Sequence, residues 1–391
     1  MSTIPERNSQ PMPCIDRSHA VILRAVGDIA INRQPADAIF ADCGCLGEGA
    51  DIVLGQLESV FTHAPSALLR ADASLKSSPE NARQLGALGL TGLSLAGNHV
   101  MTCGIEGLRE SRNAVEAQGI ATFGAGENVF DARTPFQRVV RGQTVSVVAA
   151  NSILPPGCAA SDVLPGARPL RIRTLYEMIQ SGHPGTAARA LTYPVKEDYE
   201  DIRMQVADLA MLGHRVIAWM HWGLHLEPET IADYESEVGR GLIDAGCDLV
   251  VGTHQHILKG VEIHKDRAIV HSLGNFCFDL DVLANPARQA FTRELAKLYT
   301  DIPVVPSPSN RLYPFSEKSR LTAVLEATLP EGEPAEIGFR PAYIGDGGRP
   351  RLLSPEDKFF AEVEQLLTGA SARFGVSFVR TDTGLLRPVK P

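Results

Sequence analysis

The chain has 391 residues, of which 44% are hydrophobic and 21% charged, and its formal net charge is −9. This composition is typical of a globular protein with one large or two ordinary cores, and it excludes extensive disorder. The acidic balance also argues against general nucleic-acid binding, which normally requires a basic patch or stripe.

The termini and the cysteines bear on where the protein is found. Seven cysteines are scattered along the chain, which favours reduced thiols in a cytosolic protein. Residues 1–18 hold no apolar stretch of the kind a signal peptide needs, and no segment approaches the ~20 apolar residues of a membrane helix. We therefore expect a polar tail over residues 1–20, no membrane span and a cytoplasmic location. The oligomeric state is not predicted.

From residue 21 to residue 279, short β-rich runs alternate with helical stretches, which is typical of a layered α/β domain. Turn and capping residues predict helices over 79–88, 105–118, 197–212 and 229–245. Weak periodicity and clustered prolines predict irregular insertions at about 152–195 and 284–315. Strands at 320–329 and 337–344 complete one domain over 21–345, and residues 346–391 supply a C-terminal helix, over 355–371, and a tail that pack on it.

Five predicted strands each run out into a residue that can hold a metal ion. These residues are Asp28, Glu58, Asn98 with His99, His221, and the pair His254 and His256. Two histidines separated by one residue face the same side if the extended conformation continues, so both imidazoles can reach one ion. Because ligands in open α/β sheets gather beyond the carboxyl ends of the strands, we predict that these residues share one site.

The donor types indicate which metals would suit this site. Carboxylate oxygens, imidazole nitrogens and one amide oxygen suit Mn²⁺, Fe²⁺ or Zn²⁺ better than Ca²⁺. These donors outnumber the three protein ligands of one catalytic zinc. Two ions about 3.5–4 Å apart can activate a water and clamp a phosphoryl or carbonyl oxygen. The pattern therefore predicts one or two divalent ions and a hydrolytic reaction.

Six short segments carry a resemblance to a known family. They are Gly27-Asp28, Gln56-Leu57-Glu58, Ser94-Leu95-Ala96-Gly97-Asn98-His99, His221-Trp222-Gly223, Gly252-Thr253-His254-Gln255-His256 and Ser272-Leu273-Gly274-Asn275-Phe276. In this order they resemble the capsule-synthesis CapA family, also called the poly-γ-glutamate synthesis family, of the calcineurin-like metallophosphoesterase superfamily. The resemblance implies a four-layer α/β fold, with two packed mixed β-sheets flanked by helices and a dinuclear site at one edge.

The resemblance also implies roles for the donors. Asp28 and Glu58 would occupy carboxylate-ligand positions, and His256 would serve the first metal. Asn98, His221 and His254 would serve the second metal. His99 would donate a proton to the leaving group rather than bind a metal, a role that suits a histidine at the mouth of a metal site.

The chain departs from the family pattern at several positions. Ala30 stands where the superfamily has a histidine, and Gln56 stands where the family usually has asparagine. Thr102 replaces an aspartate, and His225 replaces a glutamate that often follows the His-Trp-Gly motif. The imidazole of His225 would add a ligand or alter the substrate.

Other residues are candidates for supporting or substrate-binding roles. Asn275 would hydrogen-bond a ligand or a loop backbone. Lys76, Lys196 and Lys259 stand near motif-bearing segments, where each could meet an anionic substrate group, although a solvated surface lysine is the simpler interpretation.

The sequence thus predicts a soluble metal-dependent hydrolase of the CapA type. Water would be activated at the metal site, and the substrate would be a phosphoester, or an amide or ester of a small-molecule or peptide-like compound. One alternative is a non-catalytic component of capsule or poly-γ-glutamate biosynthesis, with a site decayed at Ala30, Thr102 and His225. Another alternative is a single-metal site with His225 as an extra ligand.

Overall fold

The computed structural model describes residues 19–32, 39–66, 75–180, 182–227, 229–279, 313 and 315–390. The predicted insertion over 284–315 and the N-terminal tail fall almost wholly outside these residues. The strands of the described part, in chain order, are β1 (Val21–Ala30), β2 (Ile52–Leu57), β3 (Val60–Phe61), β4 (Lys76–Ser77), β5 (Gly92–Ser94), β6 (Ala121–Phe123), β7 (Ala125–Gly126), β8 (Phe136–Val140), β9 (Gln143–Asn151), β10 (Gly166–Ala167), β11 (Ile172–Met178), β12 (Ala188–Pro194), β13 (Arg215–His221), β14 (Leu249–Thr253), β15 (Val261–His264), β16 (Arg267–Val270), β17 (Asn275–Phe278), β18 (Leu321–Leu329), β19 (Glu336–Ile344), β20 (Pro350–Leu352), β21 (Ser377–Arg380) and β22 (Leu386–Val389).

The helices agree with most of the predicted segments. The α-helices are α1 (Arg83–Ala87), α2 (Gly104–Glu116), α3 (Val129–Ala132), α4 (Lys196–Met211), α5 (Asp233–Asp244) and α6 (Lys358–Ser371). Short 3-10 turns lie at Pro79–Ala82, Glu317–Arg320, Asp346–Gly348 and Ala372–Phe374. Among the described residues, no helix is long and apolar enough to cross a membrane.

Most strands belong to two mixed sheets. The large sheet has ten described strands in the order β21-β22-β19-β18-β1-β2-β5-β6, with β17 beside β1 and β20 beside β19. Its strands β1, β2, β5 and β6 are parallel to one another. The small sheet has the order β15-β16-β14-β13-β9-β8, in which β9, β13, β14 and β16 are parallel.

The two sheets pack face to face across a shared apolar core that includes Leu54 and Trp219. The outer face of the large sheet is covered by α1 and α2, whose Leu108 belongs to a second core. The outer face of the small sheet is covered by α4 and α5, which contribute Val206 and Val238 to a third core. The predicted four-layer α/β arrangement of two packed mixed sheets and flanking helices is confirmed.

The start of α5 differs from the prediction, which placed a helix over 229–245. The helix begins at Asp233, because Ala232 has extended backbone (φ −69°, ψ 147°). The Ala232 N–H donates a hydrogen bond to Glu235 Oε1 at 2.8 Å, which satisfies a donor at the helix start and fixes the boundary there.

Part of the segment 152–195 is more regular than its sequence predicts. β11 and β12 pair in antiparallel register from Ile172 opposite Pro194 to Met178 opposite Ala188. Most of their side chains are exposed. Because few of these side chains pack on a core, the hairpin has no alternation of apolar and polar residues to reveal it.

Candidate metal centre

The predicted donors converge where the carboxyl ends of β1, β2 and β5 meet those of β13 and β14. Asp28 lies opposite Gln56 on β2 and opposite Asn275 on β17. The main-chain N–H of His254 donates to Asp28 Oδ2 at 3.0 Å. This bond joins the two sheets at the site, as their strand ends predict.

Asp28 lies within β1 rather than beyond its end, since the strand continues to Ala30. The pairing register of β1 shifts on both sides of Asp28. Irregularities of this kind re-aim a side chain out of the regular alternation of a strand. They allow a carboxylate within a strand to reach the site.

The histidine pair follows β14 by a different geometry from the predicted one. The extended conformation does not continue, because His254 and His256 have φ angles of +86° and +56°. Such angles are uncommon outside glycine and often mark functional loops. The two rings still lie 5.7 Å apart between centroids. Gln255 between them is held by hydrogen bonds from its Nε2 to Glu235 Oε2 and His271 O, both 2.9 Å.

Glu58 lies at the centre of the donor set. Its carboxylate oxygens are 3.9 Å from His221 Nε2, 3.7 Å from His256 Nε2 and 3.8 Å from His99 Nε2. Asp28 oxygens lie 4.0 Å from His221 Nδ1 and 3.5 Å from His256 Nδ1. Both carboxylates and the His221 ring are buried, whereas His99 retains 23% side-chain exposure.

The donors fall into two sets of three, each with one donor atom per residue within 4.8 Å of the others. The carboxylate group comprises Asp28, Glu58 and His221. The histidine group comprises His225, His254 and His256, of which only His225 is exposed. His225 was predicted only as an additional ligand or substrate contact, and the structure brings it beside the predicted pair.

The electrostatics of both groups fit a cation. Among the described residues, Asp28 Oδ1 and His254 Nδ1 are buried without a hydrogen-bond partner. Burial raises the pKa of the Asp28 carboxyl to about 8. Burial, followed by neighbouring imidazoles, lowers the pKa of His221, His254 and His256 well below the usual value. Neutral imidazoles have lone pairs available for a metal. A divalent cation would supply the positive charge that stabilises the ionised form of the buried carboxylates.

Neighbouring polar groups orient the candidate ligands. His221 Nε2 lies 3.1 Å from Asn98 Oδ1, and its Nδ1 lies 3.1 Å from Thr253 Oγ1. His256 Nδ1 lies 2.8 Å from Asn275 Oδ1. Partners of this kind fix the ring orientation of metal-binding histidines. Asn98 thus contacts a candidate ligand directly, and Asn275 hydrogen-bonds one.

Replacing Asn275 with alanine is expected to weaken cation binding by about 10–100-fold, the usual cost of removing a partner that orients a ligand. The reason is that His256 Nδ1 would lose its acceptor and its ring would no longer be fixed. Cation affinity measured by chelator competition checks this. Asn275→Asp keeps an acceptor oxygen and should bind more tightly than Asn275→Ala. Equal affinities of the wild-type chain and Asn275→Ala would contradict the positioning role.

The lysines lie in other surroundings. Lys76 Nζ donates to His63 O at 3.0 Å, and Lys196 is the first residue of α4. Lys259 is fully buried, and its Nζ donates to Thr230 O at 2.7 Å. Their roles as substrate contacts stay predictions.

Several supporting residues were not singled out from the sequence. Thr253 and Gln255 flank the histidines within a quoted motif, so the motif itself held that signal. Tyr313 accepts a hydrogen bond from Asn275 Nδ2 at 3.1 Å. Tyr234 accepts one from Gly223 N at 2.6 Å. Nothing in the local sequence links either tyrosine to the site, because both contacts depend on the tertiary fold.

Comparison with known sequences identifies the family of the segment that contains these residues. A family model described as "Bacterial capsule synthesis protein PGA_cap" matches residues 21–280. The chain is 26% identical over 265 residues to the "PGA biosynthesis protein CapA" of Bacillus subtilis, covering 65% of this chain and 62% of that protein. It is also 26% identical over 252 residues to the "Capsule biosynthesis protein CapA" of Bacillus anthracis, covering 64% of this chain and 56% of that protein. The chain thus spans about three fifths of the length of these curated relatives.

Solved structures show only remote similarity. A Staphylococcus aureus protein described provisionally as a 5′-nucleotidase aligns with 89% of this chain and 58% of its own, at a TM-score of 0.42 and 11% identity. A hypothetical protein from Thermus thermophilus aligns with 85% of this chain and 96% of its own, at a TM-score of 0.39 and 12% identity. At these scores, neither similarity bears on the activity.

Proposed function

The chain belongs to the bacterial capsule synthesis protein PGA_cap family, and from that premise and the geometry of its site we propose that it is a divalent-cation-dependent hydrolase. The bond cleaved would be a phosphoester, or an amide or ester such as a γ-glutamyl linkage. The second class follows from the curated relatives, whose names concern PGA and capsule biosynthesis.

One observation carries the proposal. Two buried carboxylates and several imidazoles from separate strands converge at the meeting edge of two sheets, and Asp28 Oδ1 is left there without a hydrogen-bond partner among the described residues. A buried carboxylate oxygen without a hydrogen-bond partner, as at Asp28, is costly to a fold. Its presence supports a site built for a cation rather than for stability.

The residues of the site have separate roles in cation binding, ligand orientation and proton donation. Asp28, Glu58 and His221 would hold a divalent cation, which supplies a Lewis acid that polarises the scissile group and lowers the pKa of a water. Asn98 orients His221 through the 3.1 Å contact to its Nε2. Glu58 Oε1 lies 3.8 Å from His99 Nε2, and this imidazole lies at the solvent-accessible side of the site. From there, His99 donates a proton to the leaving group.

Replacing His99 with glutamine is expected to lower kcat by about 10²–10⁴-fold, the usual contribution of a general acid. The loss should be largest for substrates with basic leaving groups and small for p-nitrophenyl substrates, whose leaving group needs no proton. Bound cation should be unchanged. The matched control is His63→Gln, which alters an exposed histidine. If His99→Gln instead loses its bound cation, and its activity falls equally on all substrates, His99 is a metal ligand.

A substrate panel tests the proposal itself. Chelator-treated protein would be supplied with Mn²⁺ or Zn²⁺ and assayed against phosphomonoesters, phosphodiesters, γ-glutamyl amides and simple esters. We expect hydrolysis of one class, dependent on added cation. Cation binding without hydrolysis of any class would instead favour a non-catalytic component of polymer synthesis.

A further inference from the structure

His225 lies in a loop after β13 that is fastened to the loop carrying the histidine pair. The Trp222 N–H donates to Thr253 O at 3.3 Å, and the Leu226 N–H donates to Gln255 O at 2.9 Å. Leu226 has a φ angle of +60°, which is uncommon for a branched residue and indicates that the surroundings impose the shape of the loop. Backbone bonds on both sides therefore hold His225 against the loop of β14.

The His225 ring lies close to both members of the pair. Its centroid is 4.2 Å from that of His254 and 5.0 Å from that of His256. His254 and His256 are 3% and 5% exposed, so His225 lies on the solvent side of the group. His254 Nδ1 is buried and, within the described part of the chain, has no hydrogen-bond partner. Three imidazoles thus face one another with a buried nitrogen available.

We propose that His225, His254 and His256 bind a borderline transition metal such as Zn²⁺ at a nitrogen-only centre beside the carboxylate group. This inference rests on the proposed function, because it specifies the metal chemistry of the same site. It differs from the assignment implied by the family resemblance, in which His254 and His256 serve different ions. Ala30 and Thr102 offer no carboxylate or imidazole, whereas His225 adds an imidazole nitrogen beside the pair.

The two groups should differ in metal preference. Three imidazoles are a donor set that zinc sites use with an open position for water or substrate. Imidazole suits Zn²⁺, Cu²⁺, Fe²⁺ and Ni²⁺, whereas carboxylates suit Mg²⁺ and Mn²⁺. The histidine group should therefore retain Zn²⁺ in the presence of excess Mg²⁺, and the carboxylate group should exchange its ion more freely.

Zinc titration against a chromophoric chelator, in excess Mg²⁺, tests the inference. We expect His225→Ala to lose one tight equivalent of Zn²⁺, with the affinity falling by more than about 100-fold, since even partners outside the ligand set cost 10–100-fold. Asp28→Asn should retain that equivalent, and His183→Ala, which removes an exposed histidine elsewhere, should match the wild type. His225→Glu should shift the preference from Zn²⁺ toward Mn²⁺. Cobalt absorption spectra give a readout independent of activity, because loss of one imidazole changes the visible bands.

The outcomes separate the two proposals. If His225→Ala and the wild type bind Zn²⁺ equally, the nitrogen-only centre is overturned, even where Asp28→Asn abolishes hydrolysis and the proposed function stands. If His225→Ala loses the tight equivalent while no substrate is hydrolysed, the centre stands and the hydrolase is overturned. Unfolding curves for each variant check that the fold tolerates the change, as the exposed position of His225 predicts.

Discussion

Replacing Glu58 with glutamine is expected to reduce kcat/KM by about 10³-fold or more, equivalent to about 4 kcal/mol of transition-state stabilisation. The substitution keeps the shape of the side chain but removes the charge that faces His99, His221 and His256 within 3.9 Å. Steady-state kinetics with the best substrate of the panel measure the effect. The thermal unfolding midpoint of the cation-free chain should not fall, because the change removes a buried charge.

Glu110→Gln is the matched control for this variant. The Glu110 carboxylate accepts hydrogen bonds from Thr62 Oγ1 at 2.6 Å and from His63 N at 2.8 Å, and it belongs to neither donor group. The activity of Glu110→Gln should stay near that of the wild type. Full activity in Glu58→Gln would remove Glu58 from the mechanism.

Replacing Gly252 with alanine is expected to destabilise the fold by roughly 3 kcal/mol or more, since overpacking in a tight interior commonly costs about 1–3 and occasionally more. The added Cβ would overlap His271 O and Trp222 Nε1. Neither atom can retreat freely, because Trp222 Nε1 donates to His271 O at 3.0 Å and Leu273 N donates to Gly252 O at 3.0 Å. Displacement at this point also moves the loop that carries His254. Denaturant unfolding and cation titration should therefore both show a loss.

Gly86→Ala provides the contrasting case. Gly86 lies in α1, and beyond its chain neighbours and the backbone of the helix, no heavy atom of the described residues lies within 4 Å of an added Cβ. Alanine should leave cation binding intact and stabilise the fold by up to about 1 kcal/mol, the helix-propensity difference. If Gly252→Ala were as stable as Gly86→Ala, the close approach of β14 to His271 would be wrong.

Much of the fold and of the donor set follows from local sequence. Short apolar runs predict the parallel strands, and parallel strands place their carboxyl ends at one edge. Glu58 and the histidine pair follow such runs and His221 ends one, so their convergence follows from the strand pattern. Asp28 lies within β1, and the register shifts beside it, which the sequence does not predict, bring it to the site. The helices were predicted where a glycine or a proline marks a boundary, as at Pro79 and Gly213.

The remainder depends on tertiary contacts. The left-handed backbone of His254 and His256 accompanies hydrogen bonds from Gln255 to Glu235 and His271. Glu235 lies well before Gln255 in the chain, and His271 lies well after it. The place of His225 depends on backbone bonds to the β14 loop. Likewise, the start of α5 is fixed by Glu235 rather than by a favourable capping residue. No periodicity or propensity encodes these pairings.

Cation content is the measurement that tests the account most directly. Chelator-stripped wild-type and Asp28→Asn protein would be reconstituted with Mn²⁺ and with Zn²⁺, desalted and analysed for metal per chain. The account predicts one or two equivalents on the wild-type chain and, on Asp28→Asn, the loss of the ion that the carboxylate group binds. A wild-type chain that retains neither ion, or an Asp28→Asn chain that retains both ions as fully as the wild type, would contradict it.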